Sequence, residues 1–416
     1  MFPCLPIPAS APPNSSTTAS ANSARLARDA ATKNNDKVKL LAQFCYEMNA
    51  SGNYGRAMEV IREYVARYPL DVNGRKGLAH LLRVEGNLPD ELQAAQQGYG
   101  EDPFDADAYG EAELALIGMN RYDSALQLEA QAERVGVAQS GNALIAGYLA
   151  GKEDVIAAQE STLQRTISET ATVSPEQIKY ADLYRYSLYL DNIGRTDAAL
   201  ELWRSAASTA GSVPEFASTQ ASMLAQGALN QALMQSCNQA LELVDGVKDL
   251  PKGPVASFNA GMASALCGGQ TYAEKVIADL KENYPQSTAV MQYYVPQLQA
   301  AGEIGVNEPE KALDPLIALE PYDQISLAPY LRGMANAALG QIPAAMIDFQ
   351  TVLDHRGSAL MLGSDVFPMA EMSVARANMA NRDKRDSVEA YRKFLFLWRG
   401  ADQNQPLIIE ASTKSK

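Results

Sequence analysis

The stretch "EDPFDADAY", from Glu101 to Tyr109, brings three carboxylates, Asp102, Asp105 and Asp107, close together. Two carboxylates held in different environments can share general-acid and general-base work. The same residue type also caps helices, because a short carboxylate accepts from the N–H groups of a first turn. The stretch therefore reads as a link between helices. A helical carboxylate hydrolase is the second reading, favoured if the chain closes into a ring around a pocket. With only His80 and His355, a multi-histidine metal site is excluded, and a nucleophile–histidine–acid triad would have to use one of the two. His80, in an apolar helical stretch, reads as a packed core or groove residue, and His355 as a structural loop residue. Gly151-Lys152 is followed by Glu153, with Ala146 five positions before the glycine, which is not a phosphate-cradling loop. Cys4, Cys45, Cys237 and Cys267 are too scattered for a disulfide framework or a CxxC metal pair. Buried thiols are expected, with a Cys237–Cys267 bridge between adjacent units as the alternative. No catalytic residue, metal or cofactor is assigned.

The elements that would carry such residues follow from composition and period. A chain of 416 residues, 47% hydrophobic, can bury a sizeable core, and no run approaches the length of an apolar membrane span. The opening "MFPCLPIPASAPPNSSTTASANSA" is uncharged before Arg25 and carries five prolines, so residues 1–34 read as a disordered leader and not as a signal peptide. The cytoplasm is the expected compartment. Net charge is −14, distributed as +2 over 1–100, −10 over 101–200, −8 over 201–330 and +2 over 331–416. Such a middle argues against nucleic acid, whose phosphates need basic clusters, and favours a partner with a basic segment.

"GNYGRAMEVIREYVARYP", Gly52 to Pro69, recurs 34 residues later as "GNLPDELQAAQQGYGEDP", Gly86 to Pro103. Tyr54, Leu88 and Tyr122 keep the same step. A helix-turn-helix unit of that length is the signature of tetratricopeptide (TPR) repeats, which bury their apolar faces only by stacking on neighbours. Each unit needs a Gly or Asn turn, a small residue five positions on where the two helices approach, and a bulky residue four beyond. Gly52/Ala57/Ile61, Gly194/Ala199/Trp203, Gly268/Ala273/Ile277 and Gly340/Ala345/Phe349 satisfy the template, and Gly227/Ala232 marks another unit. In the second unit Glu91 stands where Ala belongs. Ser51 reads as an exposed position. The expectation is an all-α, TPR-like α-solenoid, an open right-handed superhelix of about nine or ten helix pairs. It covers residues 35–402, with a weak joint near 136–180 and a C-terminal tail at 403–416.

"YPQSTAVMQYYVPQLQAA", "APYLRGMANAALGQIPAAMIDFQTVLDHRG" and "SVEAYRKFLFLWRGAD" resemble the C-terminal TPR region of bacterial receptor-type serine/threonine protein kinases. Similar phrases occur in the TPR regions of winged-helix regulators. The resemblance spans roughly residues 35–402, without the kinase domain, the usual membrane segment or the terminal helix. "DHRG" at Asp354 is not an H-R-D loop and "DFQ" at Asp348 is not D-F-G. The resemblance implies a non-catalytic interaction or sensory array, or a regulatory fragment of a split signalling kinase or transcription regulator. Recognition is then expected on the concave face lined by first helices, through Tyr46, Asn49, Tyr184, Arg185, Asn192, Phe258 and Asn259. Ala42 and Tyr46 replace the Lys and Asn by which some TPR domains clamp a terminal carboxylate.

Overall fold

The computed structural model describes residues 18–416, apart from 139, 171–173, 176, 177, 179 and 362. Among the described residues twelve have left-handed backbone, and ten of them punctuate it at regular intervals: Gly52, Gly86, Asn120, Gly151, Gly194, Gln235, Gly268, Asn307, Gly340 and Arg382, with φ from 58° to 80°. A left-handed residue just past a helix end lets the next N–H groups return to the last carbonyls, and the chain reverses. Each of the ten therefore joins two helices into a hairpin. The hairpins run from Asp36–Tyr46 with Tyr54–Arg67 to Val366–Ala380 with Lys384–Leu397. The chain is an all-α, TPR-like solenoid of ten helix pairs, and no strand occurs among the described residues. No described helix is long and apolar enough to cross a membrane.

Five positions after the turn stand Ala57, Ala125, Ala199, Ala240, Ala273, Ala312 and Ala345, all buried. A methyl group there lets the paired axes close up. Glu91, Ile156 and Ser387 take that place in the other three hairpins, also buried. In the sixth hairpin the turn is Gln235, not Gly227. Gly227 lies inside the helix Ala217–Leu233, where a β-carbon would meet the Trp203 ring at 3.0 Å.

Both ends carry more helix than expected. Residues 1–17 lie outside the described residues, but Thr18–Ala31 of the presumed disordered leader form a helix that buries Ala24 and Ala31. The tail at 403–416 likewise contains the helix Pro406–Lys414. It buries Leu407, Ile408 and Ala411. Hydrophobic residues every third or fourth position in "PLIIEA" give it an apolar stripe, and that stripe covers the last hairpin. Cys237 and Cys267 form a disulfide with Cα atoms 5.4 Å apart, where two buried thiols were expected, and Cys45 is a buried thiol. Ser51 is buried, its hydroxyl donating to the Glu47 carboxylate at 2.5 Å.

The superhelix winds back against itself. The Thr288 N–H donates to Gly52 O at 2.9 Å. Asn120 donates to Asp354 O at 2.6 Å and accepts from the Gly357 N–H at 3.0 Å, and Ser358 donates to Gly118 O at 3.1 Å. These partners are 234–240 residues apart, which is seven steps of 34. Arg399 pairs with Glu153, and a β-carbon on Gly194 would meet the Trp398 ring at 2.6 Å. Successive superhelical turns are thus in contact, loop against helix start. The groove expected along the axis is narrowed to a cavity.

Candidate functional site

Side chains three residues apart share a helix face. Nine residues before the turn, five successive first helices carry Glu111, Asn142, Arg185, Gln226 and Asn259, all buried. Six before the turn, four of them carry Leu114, Ile145, Leu188 and Leu229. The two rows run side by side up the inner wall of the superhelix, one polar and one apolar.

They bound a cavity of about 310 Å³ whose walls include Arg83, Leu114, Asn142, Tyr184, Arg185, Phe258, Asn259, Tyr293 and Tyr294. Two π-helical segments contribute to it, Glu47–Ser51 through Asn49 and Val290–Tyr294 through its two tyrosines. An inserted residue of this kind re-aims side chains within a helix and recurs at binding sites. The second turn supplies the facing wall through Ile325, Ser358 and Leu360. The basic side chains on the wall are His80, Arg83 and Arg185, with no Asp or Glu among the lining side chains.

A hydrogen-bond relay stands behind this wall. Tyr184 Oη donates to Gln226 Oε1 at 2.7 Å, and Asn259 donates to the same oxygen at 2.9 Å. Gln226 donates to Gly363 O and to Asn230 Oδ1, and Asn230 donates to Asp191 Oδ2 at 2.8 Å. Trp203 Nε1 donates to that same carboxylate oxygen at 2.8 Å. Burial pushes Asp191 up to about 7, against the pull of Asn230 and Trp203. Asp365, also buried, is driven well above the usual carboxyl range by burial and then by Asp191.

Two further acid pairs lie behind the first helices. Glu91 is pushed well above its ordinary value by burial and by the charge of Glu111. Burial acts on Glu111 in the same direction, but Arg83 and His80 outweigh it and hold Glu111 below its ordinary value. Arg83 lies 3.2 Å from Glu111, and His80 Nδ1 lies 2.8 Å from Arg83 Nη2. Glu113 is raised by burial and by Glu129, and accepts from Asn142 at 3.0 Å. Burial also lowers the Arg185 guanidinium, with Arg83 adding repulsion.

Of the residues proposed from sequence, Asn49, Tyr184, Arg185, Phe258 and Asn259 line this one cavity. Tyr46 does not; the Arg28 guanidinium of the N-terminal helix lies 3.8 Å from its ring centre. Asn192 is fully buried and donates to Leu188 O at 2.9 Å, a core contact one helical turn away. The aspartates of "EDPFDADAY" are links: Asp105 caps the helix Ala106–Gly118, and Lys76 reaches Asp105 at 2.9 Å and Asp107 at 3.2 Å. Asp102 accepts from the Phe104 N–H at 3.0 Å. Those carboxylates are not paired for acid and base work. His355 is anchored in its turn, with Nδ1 2.9 Å from Thr351 O.

No family model matches the chain, and no curated protein does. Among solved structures it is similar to yeast Tom70, at 11% identity and a TM-score of 0.30, over 91% of this chain and 94% of that one. It is also similar to the APC/C hetero-tetramer Cut9–Hcn1, at 11% identity and 0.31, over 94% and 86%. The P58(IPK) TPR domain aligns at 12% identity and 0.25, over 92% and 97%.

Proposed function

We propose that the chain is a non-catalytic interaction module of sensory or regulatory character, in keeping with its resemblance to kinase-associated TPR regions, and that its outer face takes a protein partner bearing a basic segment. The supporting observation is a separation of charge across the helical layer. Exposed acids such as Glu201, Glu242, Asp245, Glu274, Asp279 and Glu310 stand on second helices, while the cavity lining includes Arg83 and Arg185 and no Asp or Glu. A net acidic field over these second helices, whose exposed acids outnumber their lysines and arginines, steers a cationic partner and disfavours anionic ones. The acidic field and the aromatic–amide wall therefore serve different surfaces, not one groove.

Screening at physiological salt shortens that field to roughly 8 Å, so binding must weaken as salt rises. The test is capture of partners at low and high salt by the parent and by a variant with Glu242, Asp245 and Asp249 changed to Lys. Release at high salt and loss in the variant are expected; equal retention in all arms refutes the electrostatic reading. ATP turnover by the purified chain would overturn the non-catalytic reading. The Cys237–Cys267 bridge favours an oxidising compartment over the expected cytoplasm, because cytosolic thiols are kept reduced.

A further inference from the structure

We propose that the central cavity is a binding site for an uncharged sugar of about one or two rings, whose hydroxyls donate to asparagine oxygens on the wall while its carbon faces lie against aromatic rings. The inference concerns the inner wall alone. Its failure would leave the reading of the outer face standing, and the reverse.

Three observations carry it. First, the wall calls for hydrogen-bond donors. Asn49 Nδ2 donates to Cys45 O at 3.1 Å. A backbone carbonyl only accepts, so the amide nitrogen must face it and Oδ1 must turn away. The relay fixes Asn259 in the same way. Gln226 gives its amide nitrogen to Gly363 O, so its Oε1 meets Asn259, which has to donate there at 2.9 Å and keeps its own oxygen for something else. Asn142 commits its nitrogen to Glu113 at 3.0 Å, and its oxygen is buried with no partner, a cost that a hydroxyl donor relieves. These asparagines belong to the first, fourth and seventh hairpins and all line the one cavity. Seven hairpins complete a superhelical turn, so the acceptors stand on different sides of the lumen.

Second, the wall calls for no added charge. Glu111 answers both Arg83 and His80, and Asp182 acts on Arg185 against the effect of its burial. A charged ligand would lose its water here without a vacant ionic partner. Third, aromatic rings stand between the acceptors. Tyr293 and Tyr294 line the cavity with their planes 88° apart, and Phe258 stacks on Tyr294 at 4.5 Å. Such side chains pair an apolar body with a polar tip. A sugar carries hydroxyls all round its rim and carbon-bound hydrogens on its faces, which matches acceptors on several sides with rings between them. A fatty alcohol brings a single donor, and a flat heterocycle brings its donors along an edge. About 310 Å³ is the scale of one small molecule, smaller than an extended peptide requires.

The experiment is calorimetric titration of the full chain with maltose, cellobiose and lactose, each also as the counterpart carrying a carboxylate or an amine in place of one hydroxyl. At least one neutral disaccharide is expected to bind with a Kd below about 10 mM, and its charged counterparts on the order of tenfold or more weakly. Asn259→Leu and Asn49→Leu should each weaken sugar binding on the order of tenfold, because a hydroxyl is left without its acceptor, while helical circular dichroism is unchanged. Val255 is a half-buried residue of the cavity wall. Val255→Trp fills the space and removes no polar group, so it should abolish binding of every probe even if Asn259→Leu fails to fold. Absence of binding by all the neutral disaccharides at about 10 mM, charged counterparts that bind as tightly, or binding that survives Val255→Trp would overturn the site.

Discussion

Replacing Asp191 with Asn should stabilise the protein at alkaline pH and much less so in acid. In the folded chain Asp191 titrates near 7, whereas an ordinary carboxyl does so at 3.8. Between those values the native state holds a proton that the unfolded state has released. Stability therefore falls as pH rises through that window and is flat above it. A displacement from 3.8 to about 7 corresponds to at most about 4 kcal/mol of lost stability at pH 8. Asparagine keeps an acceptor for Trp203 and Asn230, which both donate to Oδ2, and places its amide nitrogen where Oδ1 accepts nothing. It has no charge to bury, so the loss should disappear. The assay is urea unfolding at pH 5 and pH 8, followed by Trp203 emission in a Trp398→Phe background, since the chain has two tryptophans. The variant should exceed the parent by roughly 3–4 kcal/mol at pH 8 and by about 1–2 kcal/mol at pH 5. An equal difference at both pH values, or a variant less stable at pH 8, would refute the reasoning.

Ala199→Leu or Ala345→Leu, at the closest approach of paired helices, should cost about 1–3 kcal/mol, whereas Ala278→Leu on the exposed outer face should be within about 0.5 kcal/mol of the parent. Equal melting temperatures for all three would show the pairing to be wrong. Thiol labelling of the unfolded, unreduced chain should find two cysteines, Cys4 and Cys45, and four after reduction; four at the start would exclude the bridge. Opening this bridge, whose cysteines are 30 residues apart, should cost about 3–4 kcal/mol. A β-carbon at Gly357 would overlap the Ile117 carbonyl of the preceding superhelical turn, so Gly357→Val should part the turns and raise the radius of gyration in solution scattering. An unchanged scattering profile would mean that this contact does not hold the turns together.

Local chemistry made most of the architecture legible. Glycine at a left-handed turn and alanine five residues later are requirements of the hairpin itself, so Gly52/Ala57, Gly194/Ala199, Gly268/Ala273 and Gly340/Ala345 announced their units. The sixth unit was misplaced because its turn is Gln235, a residue with no turn preference, held at φ 64° by its surroundings. Reading Gly227 as that turn also hid the polar row. Counted from Gln235, Gln226 falls nine residues before the turn, in line with Asn142, Arg185 and Asn259; counted from Gly227 it falls beside the turn. Glu91 was visible as an anomaly at an alanine position, and it proves to be a buried acid next to the Arg83–Glu111–His80 group. Tyr46 and Asn192 come from first helices but do not line the cavity, because residue type without register does not tell which face a side chain takes.

The pitch could not be read from any one unit. In a solenoid each repeat touches its neighbours, and stability is approximately a sum of local terms. Here a loop in one superhelical turn also meets a helix start seven units further on, so each such contact depends on small rotations accumulated over about 238 residues, seven steps of 34. That accumulation turns a row of local hairpins into an enclosure. The inner rows, whose register is set within each hairpin, are brought to face Ile325, Ser358 and Leu360 only because the next turn arrives at that height. A change far from the cavity that altered the rotation between two units would therefore change the cavity's shape. Conversely, a molecule bridging both walls would favour the closed pitch over any looser one by the difference of its affinities for the two. Ligand inside and partner outside would then be coupled through the winding of the array, with no contact between them.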